Sequence, residues 1–252
     1  MREWWQEFAG LVLPADCAGC GAVRVLVCVE CRDALNGAGE GPVRPSPRPA
    51  GLPVVRAAAV YEGAVRSLLL AHKERGALPL AGVLGAALAV AVLGGTASGG
   101  AGGAAGAGGT GGVVLVPVPS ARRQVRARGH DPVRRIALAA AGRLRRVGVR
   151  ARVAPVLGLR RAVADQAGLG ARERRENLAG ALAVRRGARG LLPDGAPIVL
   201  VDDLVTTGAT LAEAARAVRA AGLVTGPRAA LRAAVVAAPG DSFRRIERVS
   251  RV

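Results

Sequence analysis

Lysine is almost missing from this chain: Lys73 is the only one, against 36 basic residues in all. That excludes a nucleoside-triphosphatase loop of the form G-x-x-x-x-G-K-[ST], whose lysine reaches the phosphates. Aromatic residues make up 2% of the sequence, too few for a platform on which bases would stack. After Cys31 there is no further cysteine. A long unbroken hydrophobic run is also lacking. The most apolar stretch, Leu78 to Leu93, is mostly Ala and Gly with Pro79 near its front and falls short of a membrane span, so it reads as a buried amphipathic helix. Met1 to Phe8 carries acidic residues ahead of a very short apolar stretch, unlike the cationic end and longer apolar region of a secretory signal. A cytoplasmic protein without membrane insertion is expected.

What is present suffices for a globular protein. The 252 residues are 51% hydrophobic, enough to bury the core of one α/β domain with a small appendage. The formal charge of +18 suits phosphate backbones, which clustered cations bind with release of counterions. It also accompanies an excess of Ala and Gly, as a GC-rich coding bias would produce. Both origins of the charge stay open.

The four cysteines stand as Cys17-Ala-Gly-Cys20 and Cys28-Val-Glu-Cys31. Two C-x-x-C pairs bring four thiolates together on two tight turns, a set suited to tetrahedral zinc. Gly19 and Gly21 sit where the first turn must wrap a metal. With all four positions filled by sulfur no coordination site is left open, so a structural zinc is expected. Two disulfides, two redox pairs or an iron–sulfur cluster are the alternative uses of such cysteines.

Residues 36–53 are rich in Gly and Pro and read as a linker, so the chain divides into a zinc-binding module with linker, 1–53, and a main domain, 54–252. Within the main domain Gly94 to Gly112 is nearly all Gly, Ala, Ser and Thr and reads as a flexible insertion. Its G-x-G-x-x-G match at Gly106, Gly108 and Gly111 is accidental, because a strand-like run follows it and no helix opens there. Val113–Val116, Val153–Leu157, Ile198–Val201 and Ala233–Ala238 read as strands, and Val133–Val147 and Leu211–Ala221 as helices, the last stopped at Gly222. This alternation predicts a doubly wound α/β fold with a parallel sheet.

The most informative segment runs from Ile198 to Thr210: a buried strand ending in Asp202 and Asp203, then Leu204, Val205, Thr206, Thr207, Gly208, Ala209 and Thr210 leading into a helix. In an open α/β sheet the carboxyl end of such a strand is where ligands bind. Free amides at a helix start, joined by threonine hydroxyls, can cradle a phosphate without a lysine. Carboxylates repel phosphate, so Asp202 and Asp203 suit sugar hydroxyls or the water around a magnesium ion. An ordinary capped helix would explain Thr210 and Glu213 as a capping box. It leaves the two adjacent acids followed by Thr-Thr-Gly unexplained.

This segment resembles the thirteen-residue signature of type I phosphoribosyltransferases at every position. With the four-Cys knuckle, Tyr61 to Gly63, Leu70 to Gly76, Val116 to Pro119 with Arg122, Arg123, Arg128 and Gly129, and Gln166 to Asn177, the chain resembles the ComF family of competence proteins. The resemblance implies that Asp202 and Asp203 contact the ribose of phosphoribosyl diphosphate and that Val205 to Thr210 hold its 5-phosphate. It further implies that Pro119, Arg122 and Arg123 belong to a diphosphate-binding loop, that Lys73 is a substrate-binding residue, and that residues 159–177 form a mobile loop over the substrate. Magnesium would accompany the diphosphate. Single-stranded DNA and competence proteins are the implied alternative partners. The family usually has an aromatic residue and Asn after Arg-Gly, where this chain has His130 and Asp131.

Overall fold

The structure, a computed structural model, describes residues 16–36, 41–97, 112–161, 171–193, 195–224 and 230–243. In chain order its elements are α1 (Val29–Asn36), β1 (Gly41–Val43), β2 (Val55–Val60), α2 (Gly63–Glu74), α3 (Ala81–Ala97), β3 (Val113–Pro117), α4 (Arg122–Arg128), α5 (Pro132–Arg146), β4 (Ala151–Val153), β5 (Leu157–Leu159), α6 (Ala171–Leu178), β6 (Leu182–Val184), β7 (Ile198–Leu204), α7 (Ala209–Ala220) and β8 (Leu231–Ala238).

A six-stranded sheet runs in the order β1-β2-β8-β7-β3-β4, with β5 and β6 in a separate antiparallel pair. Only β1 is antiparallel to its neighbour; the other five strands are parallel. The central strands are apolar without alternation because both faces are covered. Val199 and Val201 join Val113, Leu115, Ala234 and Val236 in a core under α2, α3 and α5. Ile198 and Leu200 join Val114, Val116, Ala233 and Val235 in a second core under α7 and the β5–β6 hairpin. Each fully buried Leu or Ile in these layers contributes about 1.5–3 kcal/mol through burial.

α5 shows how the sequence sets one element. Pro132 opens it, the Asp131 side chain accepts the Arg134 amide at 3.1 Å as its cap, and Ile136, Ala137, Ala140 and Leu144 line the buried side. α3 differs from the amphipathic helix expected, since it contains no charged residue at all. Counted from Leu78 to Gly95 it is 18 residues of mean hydropathy 2.1, long and apolar enough to cross a membrane by length and composition. It packs here against α5, β2 and β8, with Gly85 set directly against Ala139 and Ala140, as a core helix of the domain.

Several expected boundaries move. The strand read at Val153–Leu157 is two strands in two sheets, because the break at 154–156 contains Pro155, which has no amide to give a ladder. β7 extends past Val201 so that both aspartates lie inside the strand. The Gly- and Pro-rich 36–53 stretch carries β1, which pairs with β2 through Gly41, Pro42 and Val43. The first four residues of the Gly-rich run, Gly94–Ala97, are the end of α3, whereas 98–111 lie outside the described residues.

The topology also sets which loops meet at the carboxyl ends of the strands. From β7 the chain proceeds through α7 to β8 on one side, and from β3 through α5 to β4 on the other. The loops leaving the carboxyl ends of β7 and β3 therefore diverge, and the crevice between them is the switch point of the sheet.

Candidate functional site

The N-terminal turn is closed by a bridge between Asp16 and Val23, with the Cys17 amide donating to Ala22 O at 2.6 Å and the Gly21 amide to Cys17 O at 2.8 Å. Cys28 precedes α1 and Cys31 lies in its first turn. All four sulfurs lie within 4.8 Å of one another, with Cys17 to Cys28 at 3.8 Å and Cys20 to Cys28 at 3.5 Å. A tetrahedron with metal–sulfur bonds of about 2.3 Å needs sulfurs roughly 3.8 Å apart. The four cysteines are free thiols positioned to bind a metal ion.

Burial raises the Cys17 thiol, but amides of Cys28, Cys20 and Gly19 outweigh it and bring the thiol down to about 6. Cys31 is driven up by burial and by the neighbouring sulfurs. A cation would relieve that crowding. Gly19 is obligatory here, since a β-carbon would stand 2.7 Å from the Cys31 sulfur. Cys17, Val27, Cys31 and Leu35 share the core of α2 and α3, which ties the knuckle to the main domain.

The second site lies at the switch point. Val118 N donates to Val201 O at 2.9 Å, so the loop through Pro119 to Arg122 and Arg123 begins beside Asp202. Arg122 and Arg123 are exposed at the start of α4. Across the crevice β7 turns through Val205, Thr206 and Thr207 into α7, with Gly208 as the cap residue at φ 72°. A side chain at Gly208 would be strained by that backbone and would stand 3.0 Å from Leu52. No side chain caps α7, and the Ala209 amide points to Thr207 Oγ1 at 3.4 Å. The capping box read from Thr210 and Glu213 does not form. Glu213 instead accepts the Leu182 amide at 3.0 Å and pairs with Arg216, whose Nη2 donates to Leu182 O, so α7 grips β6.

The two aspartates differ in environment. Asp203 is 5% exposed and its Oδ2 accepts Lys73 Nζ at 2.7 Å. Asp202 is half-buried, and its Oδ1 accepts the Asp203 amide at 2.9 Å. Burial, followed by the charge of Asp203, pushes the Asp202 carboxyl well above its ordinary value. Burial acts on Asp203 in the same direction, but the Lys73 ammonium outweighs it and holds Asp203 below the ordinary value. Lys73 is thus the counter-ion of an acid on β7 rather than a free cation.

Next to Lys73, Glu74 receives two hydrogen bonds from Arg128, at 3.1 and 2.7 Å, while Arg128 Nη1 is buried with no partner among the described residues. His72 and His130 are buried against backbone carbonyls and against each other. Asp131 is the cap of α5. Of the expected mobile loop, Leu159 closes β5 and 171–177 belong to α6, while 162–170 lie outside the described residues. The sequence offered no signal for the Lys73–Asp203 pair, whose members are 130 residues apart.

The chain matches no protein-family model and no curated protein.

Proposed function

We propose that this chain is a phosphoribosyltransferase-type protein that binds phosphoribosyl diphosphate between the ends of β7 and β3, with a structural zinc in the four-Cys knuckle. The observation that carries the reading is the position of the Asp202–Thr210 segment at the sheet's switch point, facing the Pro119–Arg123 loop. An uncapped helix start with Thr206, Thr207 and Thr210 suits the 5-phosphate. Asp202 suits the ribose hydroxyls, with Asp203 behind it. Arg122, Arg123 and the spare Arg128 nitrogen suit the diphosphate.

Magnesium fits only with the ligand's help. Among the described residues the one cluster of three or more metal-type side chains is the cysteine set. Magnesium bound to the diphosphate, keeping most of its waters, needs at most a carboxylate near its water shell. It would neutralise the leaving diphosphate. The protein's own part is positioning: a nitrogen nucleophile displaces diphosphate at the anomeric carbon through an oxocarbenium-like centre, which needs no protein nucleophile. Asp202→Asn is the direct test. Ribose hydroxyls donating to Asp202, with magnesium on the diphosphate nearby, would favour its charged form in the complex, so losing that charge-assisted hydrogen bond should weaken phosphoribosyl diphosphate at least about tenfold in calorimetry while leaving the melting curve intact. Equal binding by the variant would remove the carboxylate from the site.

A further inference from the structure

The His72–His130 pair is buried, 1% and 6% exposed, and the proposed ligand chemistry does not use it. The rings meet edge to face with centroids 5.6 Å apart. All four ring nitrogens face backbone carbonyls. His72 Nδ1 faces Ala77 O at 3.3 Å and Nε2 faces Pro132 O at 3.4 Å; His130 Nδ1 faces Arg128 O at 3.0 Å and Nε2 faces His72 O at 3.2 Å. The pair therefore ties the last turn of α2 to the end of α4 and the start of α5. The next residue after His72 is Lys73.

We infer that His72 and His130 are positioning residues: the paired rings fix the last turn of α2 so that Lys73 stays on Asp203. A neutral imidazole has one N–H to donate, so the two neutral rings can satisfy two of the four carbonyls they face. The charged groups on the elements meeting there are Lys73 and Glu74 on α2, Arg128 on α4, Asp131 at the start of α5 and Asp203 on β7. Burial keeps His72 below its ordinary value of 6.5, against the pull of the Ala77 and Pro132 carbonyls and of Asp203. The functional consequence, that loosening the pair weakens ligand binding through Lys73, rests on the ligand reading above; the hold on Lys73 does not.

Because Lys73 is the only lysine, acylation by an N-hydroxysuccinimide ester followed by peptide mass analysis reads this one side-chain amine without any ligand. At pH 7.5 His130→Leu should raise the Lys73 rate by about fivefold or more, the population change expected for one lost hydrogen bond, and His130→Gln, which restores a donor, should return it to within about twofold of wild type. A folded His130→Leu protein that reacts at the wild-type rate would overturn the inference. Should that variant not fold, His130→Phe, which keeps a ring without its nitrogens, decides: the same rise is expected, and a wild-type rate is the overturning result. Failure to bind phosphoribosyl diphosphate would leave these rates untouched.

Discussion

Asp203 keeps its charge because Lys73 stands 2.7 Å away, while Asp202, one residue earlier, has the Asp203 amide as its short contact and is driven toward its protonated form. Asp203 is buried but the Lys73 side chain is 36% exposed, so solvent screens part of the loss and Lys73→Met should cost about 1–3 kcal/mol in urea denaturation, with part recovered by adding Asp203→Asn. Additive losses in that cycle would mean that the two groups are not coupled. Glu213 gives the pH dependence its sign. Burial raises its carboxyl, but Arg216 and the Leu182 amide hold it below the ordinary 4.5. The unfolded chain takes up the proton first, so the contribution is complete above 4.5 and fades as pH falls from there. Glu213→Gln should lower stability by about 1.5–3 kcal/mol at neutral pH and by less near pH 3, measured by denaturant titration at both.

At the scale of elements, the knuckle and the α3–β3 connection behave in opposite ways. Cys17, Val27, Cys31 and Leu35 are built into the core of α2 and α3, so a metal held there would support more than its own turn. Protein purified without added metal should carry about one equivalent of zinc, and stripping it with a chelator should lower the melting temperature of the entire domain. Zinc below about half an equivalent with iron also absent, or an unchanged melting curve after chelation, would contradict this. The Gly-rich run should tolerate excision only between its fixed ends. Gly94–Ala97 complete α3, and a β-carbon on Gly112 would lie 2.6 Å from Arg150 O, so replacing 98–111 by a short connector should preserve cooperative unfolding. Loop length enters stability only logarithmically.

For the whole molecule, what was legible in the sequence were the elements that carry a strong local signal. β3, Ile198–Val201 of β7 and Ala233–Ala238 of β8 are continuous apolar runs, α5 has a period, and the cysteines have a spacing. β2 went unread because Val55-Arg-Ala-Ala-Ala-Val60 lacks the β-branched density that marks a strand, and its place beside β8 is settled only by pairing across the sheet. β6 went unread, and β5 was merged with β4 into one strand, because these strands are three residues each and the β5–β6 pairing joins residues distant in sequence. At the site, residue types were legible and partnerships were not: Asp202 and Asp203 look equivalent in the sequence, and only the fold brings Lys73 to one of them. The parallel sheet then sets both loops at one edge, the arrangement on which the ligand reading depends. Isothermal calorimetry of the zinc-loaded protein with phosphoribosyl diphosphate and magnesium tests that reading most directly. The account expects saturable binding at one site per chain, weakened at least about tenfold by Asp202→Asn; no heat of binding at millimolar ligand, with single-stranded DNA bound instead, would contradict it.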